Sequence, residues 1–483
     1  MTSPQACATS RVALAVFALI LTALSNGCLS TSAVEDRRTA VDLADDRVAI
    51  VAETDLETDP EAALDGDPLA APLTADAAVR IALRRDPQVR AALARVDEAR
   101  ARLAQTDRAP NPMIDLGLGI PIDGLSGAPA VAMLAQQVTW LWTRPDRLDA
   151  ADARRRAAML DAAASIVTLD ATVRRAHADA VVADRLADVA EELAGTAAAA
   201  WRLRVRLNEE GEASRIELDA AVLEANRLAL DVPATREHAR RTRLDLLAAI
   251  GLPEADPDLL RLADEPPATE SIPDDTTIID LAATARFDVA AAGCRVEAAH
   301  ADAALAGLER LPDVSATLMW NRNFAGRDAL LPGARVTLPI LDDGGPAVAA
   351  AAAAWKLAVL AALDVRRGAI AEARVARSRL ERAAALVEGT RESVLEPARR
   401  AERLAEARHR EGVDDADAML VARTMRLLAE RRLLEHELDA ATARIDLIEA
   451  VGGDLEAGPW RPLESAVGRT TPGEAVATPE TST

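Results

Sequence analysis

The sequence is poor in the side chains that build globular cores and reactive sites. Aromatic residues make up 2% of the 483 residues, tyrosine is absent, and there are three cysteines and five histidines. Aromatic side chains normally supply much of a compact core, so their scarcity argues against thick globular domains. Cys7, Cys28 and Cys294 show neither a paired disulfide framework nor the spacing of a metal site.

Basic residues are also outnumbered. Lys and Arg total 56 against 78 Asp and Glu, a formal charge of −22. Nucleic acid demands a basic face, so this class of partner is excluded, whereas an acidic surface or a path for cations fits. No Gly-rich phosphate loop or nucleophile elbow is found, so we expect no catalytic residue, no bound metal and no cofactor. Glu297-x-x-His300 and Glu406-x-x-His409 are typical of di-iron helical bundles, but such spacings arise by chance among this many acids.

Helix-forming residues and an internal duplication are what the chain does have. Alanine, leucine, arginine and glutamate dominate, which favours long packed helices. The two halves repeat one another. Matched positions, first at an offset of 200 and later of 201, are Val89 and Val289, Pro112 and Pro312, Gly211 and Gly412, and Gly251 and Gly452.

The duplication predicts two structural repeats, 73–251 and 276–457, joined by a linker at 252–275. Each repeat reads as a helix, two alternating strands and two long helices. The predicted strands cover about 113–120, 131–142, 313–321 and 333–341, and the long helices about 145–208, 213–250, 345–410 and 414–451. Leu420, Leu427 and Leu434 recur every seven residues, which predicts a coiled coil. Pro233 and Pro397 predict kinks.

The N-terminus has the pattern of an export signal. Arg11 precedes an apolar run, 12–24, that is shorter than the roughly 20 residues a spanning helix needs. Residues 1–27 are therefore a predicted signal peptide. Small residues leading to Cys28 are typical of a lipoprotein signal and make Cys28 the predicted lipidation site; a cysteine inside an ordinary cleavage region is the alternative. Residues 28–72 are a predicted lipid-anchored tether, and 458–483 a disordered tail.

The strand pattern separates two faces. The predicted lipid-facing residues are Leu116, Leu118, Val138, Leu318, Val336 and Leu338, and the predicted lumen-facing residues are Asp115, Gln137, Thr139, Ser315 and Thr337. Four such strands match the length of membrane strands but leave two open edges, which lipid does not tolerate. Three copies would close a barrel of twelve strands. Trp140, Trp142 and Trp320 fit either an interfacial aromatic belt or the interior of a strand.

The duplicated plan, with "PNPMIDLGLG", "VTLPILDDGG" and two glycine turns between long helices, resembles the TolC-like outer-membrane efflux factors, particularly their lipidated branch. The likeness covers roughly residues 73–457. It implies a mainly α fold with a small membrane β part: a trimeric 12-stranded β-barrel that continues into a coiled-coil α-helical tunnel. It also implies a homotrimer in the outer membrane, extending into the periplasm. The implied partners are a periplasmic adaptor and an inner-membrane transporter, of the RND type rather than the ABC type.

The resemblance places a periplasmic tip at the two glycine turns. The predicted adaptor-docking residues are Glu210, Gly211, Glu212, Glu411, Gly412 and Val413. Ala418 and Val421 occupy positions where the family often carries a ring of constricting acids, so that ring is not reproduced. The candidates for an acidic mouth are instead Glu217, Asp414, Asp415 and Asp417. The alternative is that these acids only favour the start of a helix through its dipole.

A periplasmic adaptor, or another coiled-coil protein of the cell envelope, is the alternative function. Adaptors also carry long helical hairpins, but with one hairpin flanked by β-rich domains. Two hairpins with two strand pairs favour a channel without enzymatic activity.

Overall fold

The fold consists of two long helical hairpins and one small sheet, to which each repeat contributes two strands. The computed structural model describes residues 29–48, 69, 71–120, 127–263, 272–411, 416–455 and 463. The predicted signal peptide, the predicted lipidation site Cys28 and nearly all of the predicted tail lie outside these residues.

The described elements follow the duplicated plan. Helix α1 (Val34–Asp45) lies ahead of the repeats, in the predicted tether. In the first repeat the elements are α2 (Ala75–Arg85), α3 (Pro87–Thr106), β1 (Met113–Leu118), β2 (Ala130–Gln137), α4 (Trp140–Glu209) and α5 (Arg215–Ala249). In the second they are α6 (Asp275–Thr284), α7 (Phe287–Leu308), β3 (Asp313–Arg322), β4 (Asp328–Thr337), α8 (Gly345–Thr390), a π-turn (Arg391–Leu395), α9 (Glu396–Arg410) and α10 (Ala416–Val451). The mainly helical fold with a small sheet is therefore confirmed.

A buried core surrounds the segment of α4 from Ala157 to Ala180. Leu160 and Ile166 of α4 are fully buried, and they belong to a cluster that includes residues of α1, α2, α3 and α7. The segment before α2 also joins the linker between the repeats, because Leu73 forms a parallel bridge with Leu262. His177 of α4 lies 2.9 Å from the Leu73 carbonyl oxygen and fixes this bridge to the core.

The predicted tether contains a helix that the sequence pattern missed. In α1 the buried side chains are Asp36, Ala40, Leu43 and Ala44, of which only Leu43 is a large apolar residue, so the segment shows little hydrophobic periodicity. Arg155 of α4 donates to Asp36 at 2.6 Å, and Arg37 of α1 donates to both carboxylate oxygens of Asp97 at 2.7 and 2.8 Å. Ion pairs therefore dock this helix on the core.

The strand boundaries differ from the predicted ones. β2 ends at Gln137, so the assignment of Val138, Thr139, Trp140 and Trp142 to a strand was wrong, and α4 begins five residues before the predicted 145. Thr139 explains the change, because its hydroxyl accepts from the Val314 amide at 2.7 Å and donates to Asp313, which ends the ladder. β4 occupies 328–337 rather than 333–341, so Leu338 lies beyond it.

The π-turn accounts for the one-residue change of offset between the repeats. β1 and β3 begin 200 residues apart, at Met113 and Asp313, whereas α4 and α9 end 201 residues apart, at Glu209 and Arg410. A π-turn inserts a single residue into an α-helix. Before it, Val173 and Ala373 are both buried at the offset of 200, so the turn absorbs the extra residue without rotating α8. Pro397 lies in the first turn of α9, directly after the π-turn. The helix α5 continues without interruption through Pro233.

Both returning helices end in equivalent glycines. Gly251 follows α5 with φ +74° and Gly452 follows α10 with φ +91°, a left-handed conformation that other residues rarely adopt. A Cβ at Gly251 would come within 2.8 Å of the Arg85 side chain, and one at Gly452 within 3.0 Å of the backbone oxygen of Ala285, which is equivalent to Arg85 at the offset of 200. The duplication thus extends to single contacts.

Candidate functional site

The sheet is a four-stranded antiparallel ribbon with strand order β1-β2-β3-β4. Its register places Leu116 opposite Ala132, Leu134 opposite Leu318, and Leu318 opposite Pro332. Paired residues point to the same side of a sheet. One face, here called the apolar face, therefore carries Ile114, Leu116, Leu118, Ala130, Ala132, Leu134, Val314, Ala316, Leu318, Trp320, Leu330, Pro332, Ala334 and Val336. It also carries three polar residues, Gln136 near the helices and Arg322 and Asp328 at the turn between β3 and β4.

The opposite face is more polar. Asp115, Gln137, Ser315 and Thr337 share it with Thr317, Asn321 and Arg335, and the large apolar residues among them are Met113, Val131, Met133, Met319 and Leu331. The predicted separation of lipid-facing and lumen-facing residues thus agrees with the register for every predicted residue that lies inside a strand. Trp320 belongs to the apolar face, whereas Trp140 is buried in α4 beneath the Arg144 guanidinium, 5.4 Å from its ring centre.

Both edges of the sheet are open. All six residues of β1 and all ten of β4 are exposed, including apolar-face residues Leu116 at 78% and Leu118 at 84%. An edge strand presents unpaired N–H and C=O groups, and an apolar face of this size is rarely left in water. The sheet therefore has the properties of a segment of a larger sheet.

The turn between α4 and α5 lies at the end of the first hairpin that is remote from the sheet. Gly211 adopts φ +78° there, and Glu210 and Glu212 beside it are exposed. Ser214 and Glu217 form a capping box: the Ser214 amide donates to the Glu217 carboxylate at 2.7 Å, and the Glu217 amide donates to the Ser214 hydroxyl at 3.3 Å. The Ser214 amide and hydroxyl hold the pKa of Glu217 below its ordinary value. Glu217 thus has a local role in starting α5, and its place in an acidic mouth stays a prediction.

The turn between α9 and α10 is described only in part. Glu411 follows α9 and is exposed, whereas Gly412, Val413, Asp414 and Asp415 lie outside the described residues. Asp417, in the first turn of α10, accepts from Arg204 of α4 at 2.6 Å. This ion pair joins the two hairpins near their turns, a partnership that the sequence pattern did not indicate.

A larger ionic cluster lies further along α10, away from the turns. Arg426 of α10 lies 2.8 Å from a carboxylate oxygen of Glu402 on α9 and 3.4 Å from Glu192 on α4, and it also pairs with Glu430. One guanidinium therefore ties together three helices of both hairpins. Heptad spacing places these residues on helices but does not give the rotation of each helix about its axis, so the cluster could not be predicted.

A clamp near the sheet holds the N-terminal segment. Asp107, 2% exposed and six residues before β1, accepts the amide of Leu29 at 3.1 Å and pairs with Arg144 of α4. Arg100 donates to the Ser30 carbonyl at 2.9 Å. The residue after the predicted lipidation site therefore lies at the sheet end of the helices.

The two Glu-x-x-His patterns are occupied by other contacts. Glu297 accepts from Arg156 at 2.6 Å, and the His300 ring packs edge-on against Trp355 with centroids 5.0 Å apart. Glu406 pairs with Arg410 of its own helix at 3.5 Å. Within the described ranges no three His, Cys, Asp or Glu side chains gather as a metal site.

Comparison with known proteins identifies a related family and similar solved structures. Residues 278–453, most of the second repeat, match the family model described as outer membrane efflux protein. The outer-membrane channel OprN is 21% identical, with 83% of this chain and 97% of that chain covered and a TM-score of 0.65. The outer membrane protein VceC of Vibrio cholerae is 19% identical, with 79% and 97% covered and a TM-score of 0.64.

The outer membrane channel MtrE of Neisseria gonorrhoeae, in its open state, is 17% identical, with 78% and 88% covered and a TM-score of 0.62. No curated protein sequence matches the chain. At these identities the structures establish the fold alone, and the family match adds sequence likeness in the second repeat. The predicted resemblance is confirmed.

Proposed function

We propose that this chain, whose second repeat matches the outer membrane efflux proteins and whose fold is that of solved outer-membrane channels, is one subunit of a trimeric efflux channel. The observation that carries the proposal is the open sheet with one apolar and one polar face. In lipid each unpaired backbone group costs several kcal/mol, so both edges must be closed by other copies. Three copies give twelve strands around a polar lumen.

The helices supply the rest of a conduit. At 1.5 Å per residue the 70 residues of α4 span about 105 Å, far more than a globular core requires. Three copies would extend the barrel into a helical tunnel reaching into the periplasm. Nothing in this arrangement supplies energy, so the channel depends on an inner-membrane transporter, of the RND type, and on a periplasmic adaptor. The adaptor docks at the turns around Gly211 and Gly412.

The test measures assembly and conduction together. The full-length protein is purified from outer membranes in detergent, weighed by native mass spectrometry and inserted into planar bilayers. A trimer that gives stepwise ion conductance supports the proposal. A monomer recovered from the soluble periplasmic fraction, without conductance, would contradict it and favour an adaptor.

We also propose that Cys28 carries lipid. The Asp107 clamp supports this, because it holds Leu29 at the end of α3 that leads into β1, and an acyl chain on the preceding residue would extend from there toward the membrane that surrounds the barrel. Radiolabelled palmitate should label the wild-type protein and not a Cys28→Ser variant. The variant should still reach the outer membrane, since the barrel anchors it. Equal labelling of both proteins rules the site out.

A further inference from the structure

Methionine is scarce in this chain, but half of it gathers on one face of the sheet. The sequence has seven methionines, of which Met1 lies in the predicted signal peptide. Of the other six, Met113, Met133 and Met319 lie in strands, and the register places all three on the face opposite the apolar face. This face is here called the luminal face, because it lines the lumen of the proposed channel.

Two of these methionines form a direct pair. Met133 of β2 lies opposite Met319 of β3 in the antiparallel ladder. Side chains paired in this way have Cβ atoms about 4.5–5.5 Å apart. Two metal–sulfur bonds of about 2.3 Å, the length of zinc–thiolate bonds, span nearly the same distance. Both sulfur atoms can therefore bind one ion.

A third thioether lies within reach of the pair. Met113 of β1 is the diagonal neighbour of Met133, because Met133 is paired with Asp115, two residues further along β1. Long side chains still meet across a diagonal of this kind. Met113 is 54% exposed and has the freedom to turn toward the pair.

Charged groups beside the pair are arranged as at a cation site. Asp115, directly opposite Met133 on β1, is exposed and places a carboxylate next to the thioethers. From β4, the Arg335 guanidinium reaches the Met133 sulfur at 3.8 Å. Thioether sulfur is a weak acceptor, so this contact shows that its lone pairs face the lumen and that a positive group can lie against it.

The ligand type selects the ion. Thioether sulfur is a soft, uncharged ligand that favours Cu(I), whereas Mg and Ca take oxygen ligands and Zn is held by thiolate or imidazole. The four described strands contain neither histidine nor cysteine. Ag(I) shares the charge and the filled d shell of Cu(I), so it fits the same ligands.

We propose that Met133 and Met319 bind a soft monovalent cation, Cu(I) or Ag(I), at one site in each chain, with Met113 as a further ligand. The inference rests on the proposed channel, because only the closed barrel places the luminal face along the path of exported solutes. Asp115 attracts the ion, and Arg335 must move away from Met133 when the ion binds. The channel therefore carries a site for soft metal ions in its own lumen.

Silver titration of the purified full-length trimer tests the site. The protein carries Cys294→Ser, which removes the described thiol, and its methionine methyl groups are labelled with ¹³C. Silver nitrate is added in chloride-free buffer, because silver chloride would precipitate. The methyl signals of Met133 and Met319, identified from single Met→Leu variants, should shift together and saturate. Zinc nitrate should shift neither signal.

Met425 of α10 provides the matched control, because it is a single thioether that is 57% exposed. Its methyl signal should stay in place at the silver concentration that saturates the pair, and Met425→Leu should bind silver like the parent protein. Leucine keeps the volume of methionine, so Met133→Leu and Met319→Leu should still assemble. Loss of a group behind a metal ligand already costs about 10–100-fold in affinity, so loss of either thioether should weaken silver binding at least about tenfold.

Arg335→Gln separates a binding site from methionines that only fill space. Removal of the guanidinium takes a competing positive charge away from Met133, so silver should bind more tightly to this variant. Packing alone predicts no change.

The outcomes distinguish the metal site from the channel. If a conducting trimer shows no methyl shift, or shows Met425 shifting together with the pair, the metal site is wrong and the channel stands. A monomer without conductance overturns the proposed function and, with it, the place of the site in a lumen, whatever the titration shows.

Discussion

Asp107 fixes the start of the described chain against the helices. Asp107→Asn removes the charge that Arg144 and the Leu29 amide share, so the free energy of unfolding should fall by about 1–3 kcal/mol. Limited proteolysis should then cleave ahead of α1. Asp97→Asn is the control, because its pair with Arg37 is more exposed and should contribute less than about 1 kcal/mol. Equal cleavage of both variants would show that the clamp does not hold the segment.

The contribution of Asp170 of α4 to folding stability should depend on pH, and the burial of its carboxylate determines the sign. Burial raises the pKa of Asp170, and Arg174 beside it only partly opposes this. The folded state then holds the proton more tightly than the unfolded state, so the contribution of Asp170 to stability falls as pH rises from the ordinary aspartate pKa through the raised one. Relative to wild type, Asp170→Asn should therefore melt at a progressively higher temperature as pH rises from about 4 to neutral.

Glu217 provides the control of opposite sign. Its pKa is lowered by Ser214, so its contribution is present at neutral pH and lost as pH falls through the lowered pKa. Glu217→Gln should differ most from wild type at neutral pH and least in acid. Parallel trends for the two variants would contradict both assignments.

At the scale of the strand, neighbouring residues test the faces of the sheet. Leu318 lies on the apolar face and Thr317 on the opposite face of β3. An arginine facing lipid near the membrane centre costs about 2–4 kcal/mol, whereas one facing water costs little. Leu318→Arg should therefore block assembly, and Thr317→Arg should assemble and change single-channel conductance. Equal assembly of both into membranes would exclude the barrel.

The continuous helix formed by α8, the π-turn and α9 should tolerate the deletion of one residue at the π-turn. Deleting Glu392, together with Pro397→Ala, should convert the turn to regular α-helix and preserve the register on both sides. We expect a loss below about 1 kcal/mol, since the inserted residue is removed and the helix on either side keeps its register. Deleting Arg432 from the uninterrupted α10 should instead rotate Leu433, Leu434 and Leu447 out of their contacts and prevent folding. Thermal melting of the two proteins compares the effects, and similar losses would mean that the π-turn is not an inserted residue.

The order of these elements could be predicted from the duplication, but several of their ends could not. Alternation continues past Gln137, and the end of β2 depends on Thr139 meeting Asp313, a contact 174 residues apart in sequence. The helix α1 was missed because its buried side chains are mostly alanine and a paired aspartate. The π-turn left a signal in the sequence, the change of offset from 200 to 201. The partners of Arg426 and Asp417 depend on helix rotation, which spacing alone does not determine.

At the scale of the whole molecule, the two kinds of helix contact should respond differently to salt. The Arg204–Asp417 pair is partly exposed, so it contributes about 0.2–1 kcal/mol and is screened as ionic strength rises. Contacts between copies in the proposed trimer would instead bury exposed apolar side chains such as Leu223 and Leu357, and such burial is strengthened by sulfate, which is excluded from protein surfaces. A single reagent should therefore loosen the turns within each chain and tighten the ring between chains.

Sodium sulfate at about 0.5 M tests this in the intact trimer. Amide exchange in the turn that contains Gly211 should become faster, while the temperature at which trimers dissociate on a gel should rise. Asp417→Asn should show fast exchange at the turn already at low salt, with no further response to sulfate. Its trimers should dissociate at the wild-type temperature, because the pair lies inside one chain. A lowered dissociation temperature in Asp417→Asn would place this ion pair in the contact between copies, and the assignment of an ionic contact within the chain and an apolar one between chains would then be wrong.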